Sequence, residues 1–444
     1  MARGGKQLNT CDGGNGSDGP SGSQGSNQMS NYLDHDIAQL TKIRSEPHEL
    51  FIRTVPGKLR LPVSTVKLLA GREGWTRLNS RAYVSQFSAD GSLFIAGCQG
   101  SQIRIYNVDS GWKVQKDILA KSLMWTITDT SLSPDQRYLV YASMSPVVHI
   151  VNIGSAATKS VANITEIHDG LDFSRDDDND DFSIFSVKFS TDGRELVAGS
   201  SDCSIYVYDL EANKLTHRIQ AHMSDVNTVC FGDETGHLIY SGSDDTLCKV
   251  WDRRCFTSKE QAAGVLMGHI EGITFLDSRG DGRYFISNGK DQTTKLWDIR
   301  KMTSKPACRP RCRDDEWDYR WMEYPDEAKN LKHPHDQSLT TYRGHSVLQT
   351  LIRCYFSPEY STGQKYIYTG SSDSSVYIYD LVSGAQVARL NHHEAPVRDC
   401  SWHPFYPMII SSSFDGIIAK WEFPGDGEAP RPLKRRKGRR RILS

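Results

Sequence analysis

The sequence predicts an all-β protein, a β-propeller of seven blades, and three observations lead to this fold class. A pattern of two strands around a tight turn recurs seven times, the copies follow one another at a nearly constant period, and a short strand-like segment precedes the first copy. A unit of this size cannot bury its apolar face alone, so successive units have to pack against each other.

The repeated unit is clearest in two copies. Leu238 to Thr246 leads into Leu247 to Asp252, and Tyr284 to Asp291 leads into Lys295 to Asp298. Four of the six steps between successive unit ends are 42 to 46 residues, a period typical of WD40 repeats with four short strands in each blade. The predicted propeller spans residues 62–424, and the terminal positions of its units are Tyr106, Val151, Tyr208, Trp251, Trp297, Tyr379 and Trp421.

Two longer steps mark insertions. The first contains the acidic run Asp176 to Asp181, which we expect to form a solvated loop. The second, about residues 301–340, precedes the sixth unit and carries Trp and Tyr side chains. Because insertions in repeat rings fall in loops on one face, this second insertion is a candidate for binding a protein partner.

The seventh unit has no sequence left for its outer strand. Apolar residues alternate in Val63 to Leu68, just ahead of the first unit, and this pattern predicts a strand that can supply the missing one. Closing the ring in this way removes the exposed edges that an open sheet would leave.

Histidine, serine and aspartate recur at fixed positions within the units. Asp202 and Asp373 share the aspartate position in units that lack a terminal tryptophan, and three other units carry a complete set. Because a group present once in each blade serves a need of each blade, we predict that aspartate orients histidine, histidine meets the hydroxyl, and the hydroxyl meets the indole N–H. We therefore predict no catalytic residue and no enzyme. The complete sets are His222, Ser241, Asp245 and Trp251; His269, Ser287, Asp291 and Trp297; and His393, Ser411, Asp415 and Trp421.

A zinc site is the other chemistry that the residues allow. Cys308, Cys312, His333 and His335 lie in the second insertion, but Cys-x3-Cys is not a common zinc spacing. A phosphate-binding Gly-rich loop followed by Lys and Ser or Thr is absent from the sequence. We predict neither a metal nor a cofactor.

The composition indicates no general attraction to polyanions or membranes. The formal net charge is -1 and 38% of the residues are hydrophobic, which is ordinary for a globular protein. We expect no membrane helix, because no run of about 18 apolar residues occurs. Residues 1–30, rich in Gly, Ser, Asn and Asp, lack the apolar core of a secretory signal and are expected to be a disordered tail. The ten cysteines are then expected to be reduced in an intracellular compartment.

The last twenty positions, residues 425–444, form a basic tail. Such a run is typical of a nuclear import signal, so we predict a protein of the nucleus and cytoplasm. Solvated charge or non-specific phosphate binding is the alternative, and without interleaved aromatic residues we expect no specific nucleic-acid partner. The basic residues are Lys434, Arg435, Arg436, Lys437, Arg439, Arg440 and Arg441.

A short amphipathic helix is predicted within residues 31–56, ahead of the ring. Leu33, Ile37 and Leu40 recur at the spacing of one helical face. This face can pack against the side of the propeller, or it can enter a groove on a partner protein.

Two successive units end in Trp-Asp-x-Arg. The blade does not require the arginines, Arg254 and Arg300, which follow the strand end by two residues. A planar guanidinium with five donors suits a carboxylate or carbonyl on a partner, so two on adjacent blades favour a shared docking edge. The alternative is a pair of surface arginines that bind within their own propeller.

These segments resemble the paired Trp-Asp-x-Arg boxes in substrate receptors of cullin-four ubiquitin ligases, which dock on the adaptor DDB-one. The resemblance is closest to the group of DDB-one and cullin-four associated factor eleven and its plant counterparts. It covers about Asp34 to Phe423. Its most specific segments are Trp317 to Trp321, Thr341 to His345, Leu348 to Cys354 and Val397 to Pro404.

The resemblance implies a substrate-recognition subunit that docks on DDB-one and presents protein substrates for ubiquitination. It implies that Arg254 and Arg300 contact the adaptor while Asp252 and Asp298 hold the local geometry. It also implies that the helix bearing Leu33, Ile37 and Leu40 binds a groove on the adaptor. The alternative function is a general WD40 scaffold for a nuclear protein or ribonucleoprotein complex, in which both arginines are incidental.

Two features depart from the pattern of the family. Trp317-Asp318-Tyr319-Arg320 matches the box by letter, but it does not end a blade strand, so we do not count it as a third box. The first three units and the sixth lack the terminal tryptophan, which weakens the match of the scaffold there. The substrate is not identified by the sequence, because loops of several blades would form its binding surface.

Overall fold

The structure is a computed structural model that describes residues 66–67, 80–154, 168–174, 181–256, 261–304 and 317–422. The predicted N-terminal helix, the basic tail, Cys308, Cys312 and residues 176–180 of the acidic run lie outside the described residues. Within them, 28 strands form seven four-stranded antiparallel sheets. The predicted seven-bladed all-β propeller is confirmed.

Blades I to III follow the chain order of their strands. The first described strand, β1 (Val66–Lys67), belongs to the last blade. Blade I consists of β2 (Ala82–Phe87), β3 (Leu93–Cys98), β4 (Gln102–Asn107) and β5 (Lys113–Leu119). Blade II consists of β6 (Ile127–Leu132), β7 (Tyr138–Ser143), β8 (Val147–Asn152) and β9 (His168–Asp172). Blade III consists of β10 (Ile184–Phe189), β11 (Glu195–Ser200), β12 (Ser204–Asp209) and β13 (Lys214–Gln220).

Blades IV to VI repeat the same order. Blade IV consists of β14 (Val226–Phe231), β15 (Leu238–Ser243), β16 (Cys248–Asp252) and β17 (Gly264–Leu266). Blade V consists of β18 (Ile273–Ser278), β19 (Tyr284–Gly289), β20 (Thr293–Asp298) and β21 (Thr340–Arg343). Blade VI consists of β22 (Cys354–Phe356), β23 (Tyr366–Thr369), β24 (Ser375–Asp380) and β25 (Gln386–Asn391).

Blade VII closes the ring. It combines β26 (Val397–Trp402), β27 (Met408–Ser413) and β28 (Ile418–Glu422) with β1. The register pairs Val66 with Lys420 and Lys67 with Ala419, which confirms that a strand ahead of the first blade completes the last one. The short helices of the described chain are α1 (Glu359–Thr362) and three 3-10 turns, Arg253–Cys255, Ile299–Lys301 and Asp326–Ala328.

The connectivity divides the loops between two faces. The first strands of successive blades contact one another around the ring. Because each sheet is antiparallel in chain order, loops after the first and third strands of a blade emerge on one face, which we call the lower face. Loops after the second strand and the connections between blades emerge on the opposite face, the upper face.

Apolar side chains fill the space between neighbouring blades. Between blades IV and V, for example, Tyr240, Phe285 and Trp297 pack in one cluster, and the Tyr240 and Phe285 rings lie 4.7 Å apart between centroids. Complete burial of each such side chain stabilises the fold by roughly 2–3 kcal/mol. The apolar side chains that alternate along the strands therefore pack one blade against the next.

Buried charges join the first strands across the ring. Asp129 of blade II accepts hydrogen bonds from the backbone N–H of Val187 in blade III at 3.0 Å and from Arg353 of blade VI at 2.8 Å. Burial opposes ionisation of Asp129, yet Arg353 and Lys188 hold its pKa at about 2. These contacts link non-adjacent blades II and VI, so the centre of the ring holds a paired polar network.

The second insertion leaves β20 on the lower face and reaches the upper face. Tyr319 lies over the ammonium of Lys290 at 4.0 Å, and its carbonyl accepts the N–H of Gln349 at 2.8 Å. Lys290 belongs to the turn after β19, and Gln349 belongs to the connection from blade V to blade VI. Both are upper-face segments, so the loop around Tyr319 lies on the face opposite to its origin.

Candidate docking edge on the lower face

The phased polar residues form the predicted hydrogen-bonded sets inside three blades. In blade V, His269 Nδ1 lies 3.0 Å from Asp291, His269 Nε2 lies 2.6 Å from Ser287 Oγ, and Trp297 Nε1 donates to the same oxygen at 2.7 Å. The set of His222, Ser241, Asp245 and Trp251 and the set of His393, Ser411, Asp415 and Trp421 have the same contacts at 2.8 to 3.0 Å.

The electrostatics of these sets agree with a structural role. Burial lowers the pKa of His222, which keeps the ring neutral. Burial opposes the charge on Asp291, but its hydrogen bonds and the neighbouring His269 lower its pKa to about 2. An ionised aspartate accepts the Nδ1–H, so the hydroxyl donates to Nε2 and accepts from the indole. Ser287 is completely buried, and its oxygen is committed to these two partners.

Blades III and VI use their turn aspartates in a different network. Asp202 accepts from Tyr206 Oη at 2.6 Å and from Arg218 at 2.9 Å. The same arrangement recurs in blade VI, where Asp373 accepts from the Tyr377 hydroxyl at 2.6 Å and from Arg389 at 2.8 Å. Sequence reasoning missed this network. The signal was present, because in both blades the tyrosine follows the aspartate by four residues and the arginine follows it by sixteen.

The first predicted docking arginine emerges where β16 of blade IV ends. Asp252 accepts from the Nε of Arg254 at 2.9 Å and from its Nη2 at 2.6 Å, so the two side chains form a bidentate pair. The Arg254 side chain is nevertheless 65% exposed. The pairing with Asp252 raises the pKa of Arg254 and lowers that of the carboxyl.

The second docking arginine repeats this geometry where β20 of blade V ends. Asp298 contacts Arg300 Nε at 3.1 Å and Nη2 at 2.8 Å, and the arginine side chain is 55% exposed. Asp298 itself is buried and also accepts from Arg283 Nη2 at 2.9 Å. Both arginines therefore bind aspartates of their own propeller, as the alternative interpretation of the sequence expected. Their side chains nevertheless remain exposed on the surface.

The local sequence explains why Arg254 and Arg300 lie on the same face of the propeller. Each strand is followed by a 3-10 turn whose N-cap is the aspartate of the motif. Asp252 accepts the backbone N–H of Arg254 at 3.1 Å, and Asp298 accepts that of Arg300 at 3.0 Å. A carboxylate that caps the turn and clamps the side chain fixes the guanidinium with little freedom left. Because both turns follow third strands of adjacent blades, both arginines lie on the lower face.

A third copy of this clamp lies elsewhere. Asp318 accepts from Arg320 Nε at 3.0 Å and Nη2 at 2.6 Å, and the arginine side chain is 61% exposed. It follows no strand, and the adjoining Tyr319 contacts upper-face segments. The Asp318–Arg320 pair has the same local geometry as the two motifs of the edge. Its position is consistent with the prediction that it is not a third box.

The described part of the chain contains no group of three or more His, Cys, Asp or Glu side chains placed to hold a metal ion. Residues 317–422 include His333 and His335, whose ring centroids are 6.1 Å apart, but the two cysteines proposed beside them are outside the described ranges. Among the helices that the structure describes, none has the length and apolar character needed to span a bilayer.

A closed ring of seven blades, with internal polar sets and a clamped arginine edge, defines a WD40 propeller of the protein-interaction class. A family model described as WD40: WD domain, G-beta repeat, matches residues 175–209, 213–252, 261–298, 336–380 and 384–422. These matches fall on blades III to VII.

Full-length relatives place the chain more closely. It is 68% identical to the LEC14B homolog of Prunus armeniaca, with 98% of each chain covered, and 65% identical to the LEC14B protein of Lithospermum erythrorhizon, with 90% of each covered. The chain belongs to the LEC14B family of WD40-repeat proteins. It is also 38% identical to the DDB1- and CUL4-associated factor 11 homolog of Caenorhabditis elegans, over 78% of this chain and 61% of that protein. The resemblance predicted from the sequence is confirmed.

Proposed function

We propose that this chain is a substrate-recognition subunit of a cullin-four ubiquitin ligase. Its lower-face edge docks on the adaptor DDB1, which is the protein written above as DDB-one. In this role the chain presents protein substrates, while the ubiquitin chemistry belongs to other subunits. The observation that carries the proposal is the pair of clamped arginines, Arg254 and Arg300, which adjacent blades expose on one face.

The geometry supports docking because a clamped guanidinium loses little conformational freedom when a partner binds it. A flexible arginine loses on the order of 1 kcal/mol of side-chain entropy on immobilisation. Asp252 and Asp298 have already restricted these side chains, and the exposed remainder of each guanidinium suits a carbonyl or carboxylate on the partner. The name of the worm relative, a DDB1- and CUL4-associated factor homolog, points to the same adaptor.

Co-purification tests the docking assignment. The full-length chain and an Arg254→Ala/Arg300→Ala variant are expressed with an affinity tag, purified, and probed for DDB1. We expect the wild type to retain DDB1 and the double variant to lose most of it. Equal retention by both folded proteins would show that the arginines do not dock the adaptor.

The molecule offers a matched control for this experiment. Arg320 has the same bidentate clamp and similar exposure, but it belongs to the loop on the upper face. An Arg320→Ala variant removes the same chemistry from a different place, so it should retain DDB1 at the wild-type level. Loss of the adaptor in this control as well would indicate a general effect of charge.

Two further parts of the proposal concern the segments outside the described residues. We propose that the basic tail carries the chain into the nucleus, with a second pool in the cytoplasm. Deleting residues 432–444 should move a fluorescent fusion out of the nucleus, and unchanged nuclear retention would contradict this.

We also propose that the segment containing Leu33, Ile37 and Leu40 adds to adaptor binding, which its deletion would reduce.

A further inference from the structure

A continuous series of contacts leads from the docking edge across the lower face. Asp298, which clamps Arg300, also accepts from Arg283 Nη2 at 2.9 Å. The Arg283 guanidinium lies 4.5 Å from the ring centroid of Tyr284, and the guanidinium of Arg279 lies 5.7 Å from the same ring. The carboxylate of the second Trp-Asp-x-Arg motif is therefore linked to Arg279 through Arg283 and the ring of Tyr284.

This series is joined to blade VI by a reciprocal pair of hydrogen bonds. Arg279 Nε donates to Gln364 Oε1 at 2.8 Å, and Gln364 Nε2 donates to the carbonyl of Arg279 at 3.2 Å. Gln364 immediately follows α1 and its Gly363 cap, in the loop after the first strand of blade VI. The lower-face loops of blades V and VI are thus held in fixed register.

The series ends in an exposed aromatic pair. Tyr360 of α1 is 53% exposed and Phe405 is 36% exposed, and their rings meet edge to face with centroids 4.9 Å apart. Phe405 lies in the loop after the first strand of blade VII, so both rings belong to the lower face. Their backbones are fixed, because His403 Nδ1 accepts the N–H of Phe405 at 3.1 Å and the N–H of Gly363 bonds to Glu359 at 2.7 Å.

Exposed aromatic rings on fixed loops are characteristic of binding surfaces. Tyr, Phe and Arg are enriched in interface cores, and aromatic and arginine residues contribute most of the binding energy in many complexes. Here the two rings and the clamped Arg300 are the exposed ends of the series, whereas the Arg283 and Arg279 side chains between them are only 24% and 6% exposed. A partner that covers both ends would present an apolar pocket to the rings and a carbonyl or carboxylate group to Arg300.

We infer that the docking edge continues along the lower face to Tyr360 and Phe405 and that the adaptor which binds Arg254 and Arg300 also covers this aromatic pair. This inference rests on the proposed function, since it assigns the same partner to both ends of the surface. The adaptor is favoured over a second copy of the chain because the contacts from Asp298 through Arg283 and Arg279 reach Gln364, in the same lower-face loop that carries Tyr360.

The test measures the dissociation constant of purified DDB1 for the full-length chain and its variants. The Tyr360→Ala/Phe405→Ala variant should bind about tenfold more weakly or worse, as expected for aromatic residues that a partner buries at an interface. Tyr360→Phe keeps the ring and should bind within about threefold of wild type. A matched control is Trp321→Ala, which removes a ring that is 85% exposed in the insertion, beside the upper-face residue Tyr319, and should leave the affinity unchanged.

Thermal unfolding of each variant is measured in parallel. If the double variant is not folded, Tyr360→Ser alone, at the more exposed of the two rings, takes its place. Wild-type affinity of a folded Tyr360 variant, while Arg254→Ala/Arg300→Ala loses DDB1, would overturn the extension and leave the proposed function intact. No loss in either variant, or no binding by wild type, would overturn both. A change in oligomeric state without a change in DDB1 affinity would assign the rings to a second copy of the chain.

Discussion

In the interior of the blades and at the lower-face edge, an aspartate accepts hydrogen bonds from a nitrogen donor of another side chain. The resulting pair has a different role in each region. Inside blade V, Asp291 binds His269, and their side chains are 4% and 0% exposed. At the end of the same blade, Asp298 binds Arg300, whose side chain is 55% exposed. The first pair satisfies buried polar groups of the scaffold, whereas the second holds a cation in position on the surface.

The difference teaches that the position of an aspartate within the repeat determines its role. The interior aspartate precedes the terminal tryptophan by six residues and faces a histidine from the preceding loop. The edge aspartate follows the tryptophan directly and caps the next turn. Because the first arrangement satisfies buried groups of the scaffold and the second holds an exposed cation, loss of the two kinds of pair should affect different properties.

Removing an interior aspartate should have the largest effect. Asp291→Ala would leave the ring of His269, the N–H of Ile270 and the hydroxyl of Thr293 without their buried acceptor. We expect the free energy of unfolding to fall by about 3 kcal/mol. Denaturant unfolding measures this, and a loss below about 1 kcal/mol would show that the interior sets contribute little to stability.

Acid should affect the interior before the edge, because arginine does not titrate in this range and the bonds to Arg254 lower the pKa of Asp252. Burial lowers the pKa of His345 to about 4, and the ring lies 3.0 Å from both the Tyr379 hydroxyl and Asn288. The unfolded chain, with a histidine pKa near 6.5, binds the proton first, so the contribution of His345 to stability should be constant above about pH 6.5 and should be lost toward pH 4.

The contribution of His345 between pH 7 and pH 5 should be about 2 kcal/mol. Denaturant unfolding at several pH values measures it, with His345→Gln as the comparison variant. The wild type should lose about 2 kcal/mol more than the variant over this range. The comparison is needed because Asp277, whose pKa burial raises to about 7, titrates in both proteins. Equal changes in the two proteins would contradict the assignment.

The two edge aspartates should differ from each other. Asp298 is buried and clamps Arg283 as well as Arg300, whereas Asp252 is partly exposed. We expect Asp298→Ala to lower the free energy of unfolding by about 1–2 kcal/mol and Asp252→Ala to lower it less. Both should weaken DDB1 binding, because each frees a docking arginine. Equal stability losses would mean that the contact with Arg283 contributes nothing measurable.

Much of the fold could be predicted because repetition amplifies local signals. The three complete polar sets, the blade ends and the closing strand all follow from residue type at a fixed phase. The positions of the docking motifs were equally predictable, since Trp-Asp-x-Arg ends a recognisable third strand. The second use of Asp298 by Arg283 has no signal in the sequence, whereas the Tyr–Arg network of blades III and VI was missed although its spacing recurs in both blades.

The remaining features depend on contacts between distant segments. Tyr360 and Phe405 belong to different blades, and nothing in their separate loops indicates that the rings meet. The insertion likewise crosses from one face to the other through contacts of Tyr319 with Lys290 and Gln349, which no local pattern encodes. Tertiary packing decides such contacts, and periodicity alone does not reveal them.

The account assigns stability to the interior sets and docking to the edge arginines. Measuring the thermal unfolding midpoint and the dissociation constant for DDB1 on one variant tests this separation most directly. For Arg254→Ala/Arg300→Ala, we expect the thermal unfolding midpoint to match wild type, because both arginine side chains are more than half exposed and the buried Asp298 keeps its bond to Arg283. The dissociation constant for purified DDB1 should rise at least about tenfold. A folded variant that binds DDB1 as tightly as wild type would contradict the account.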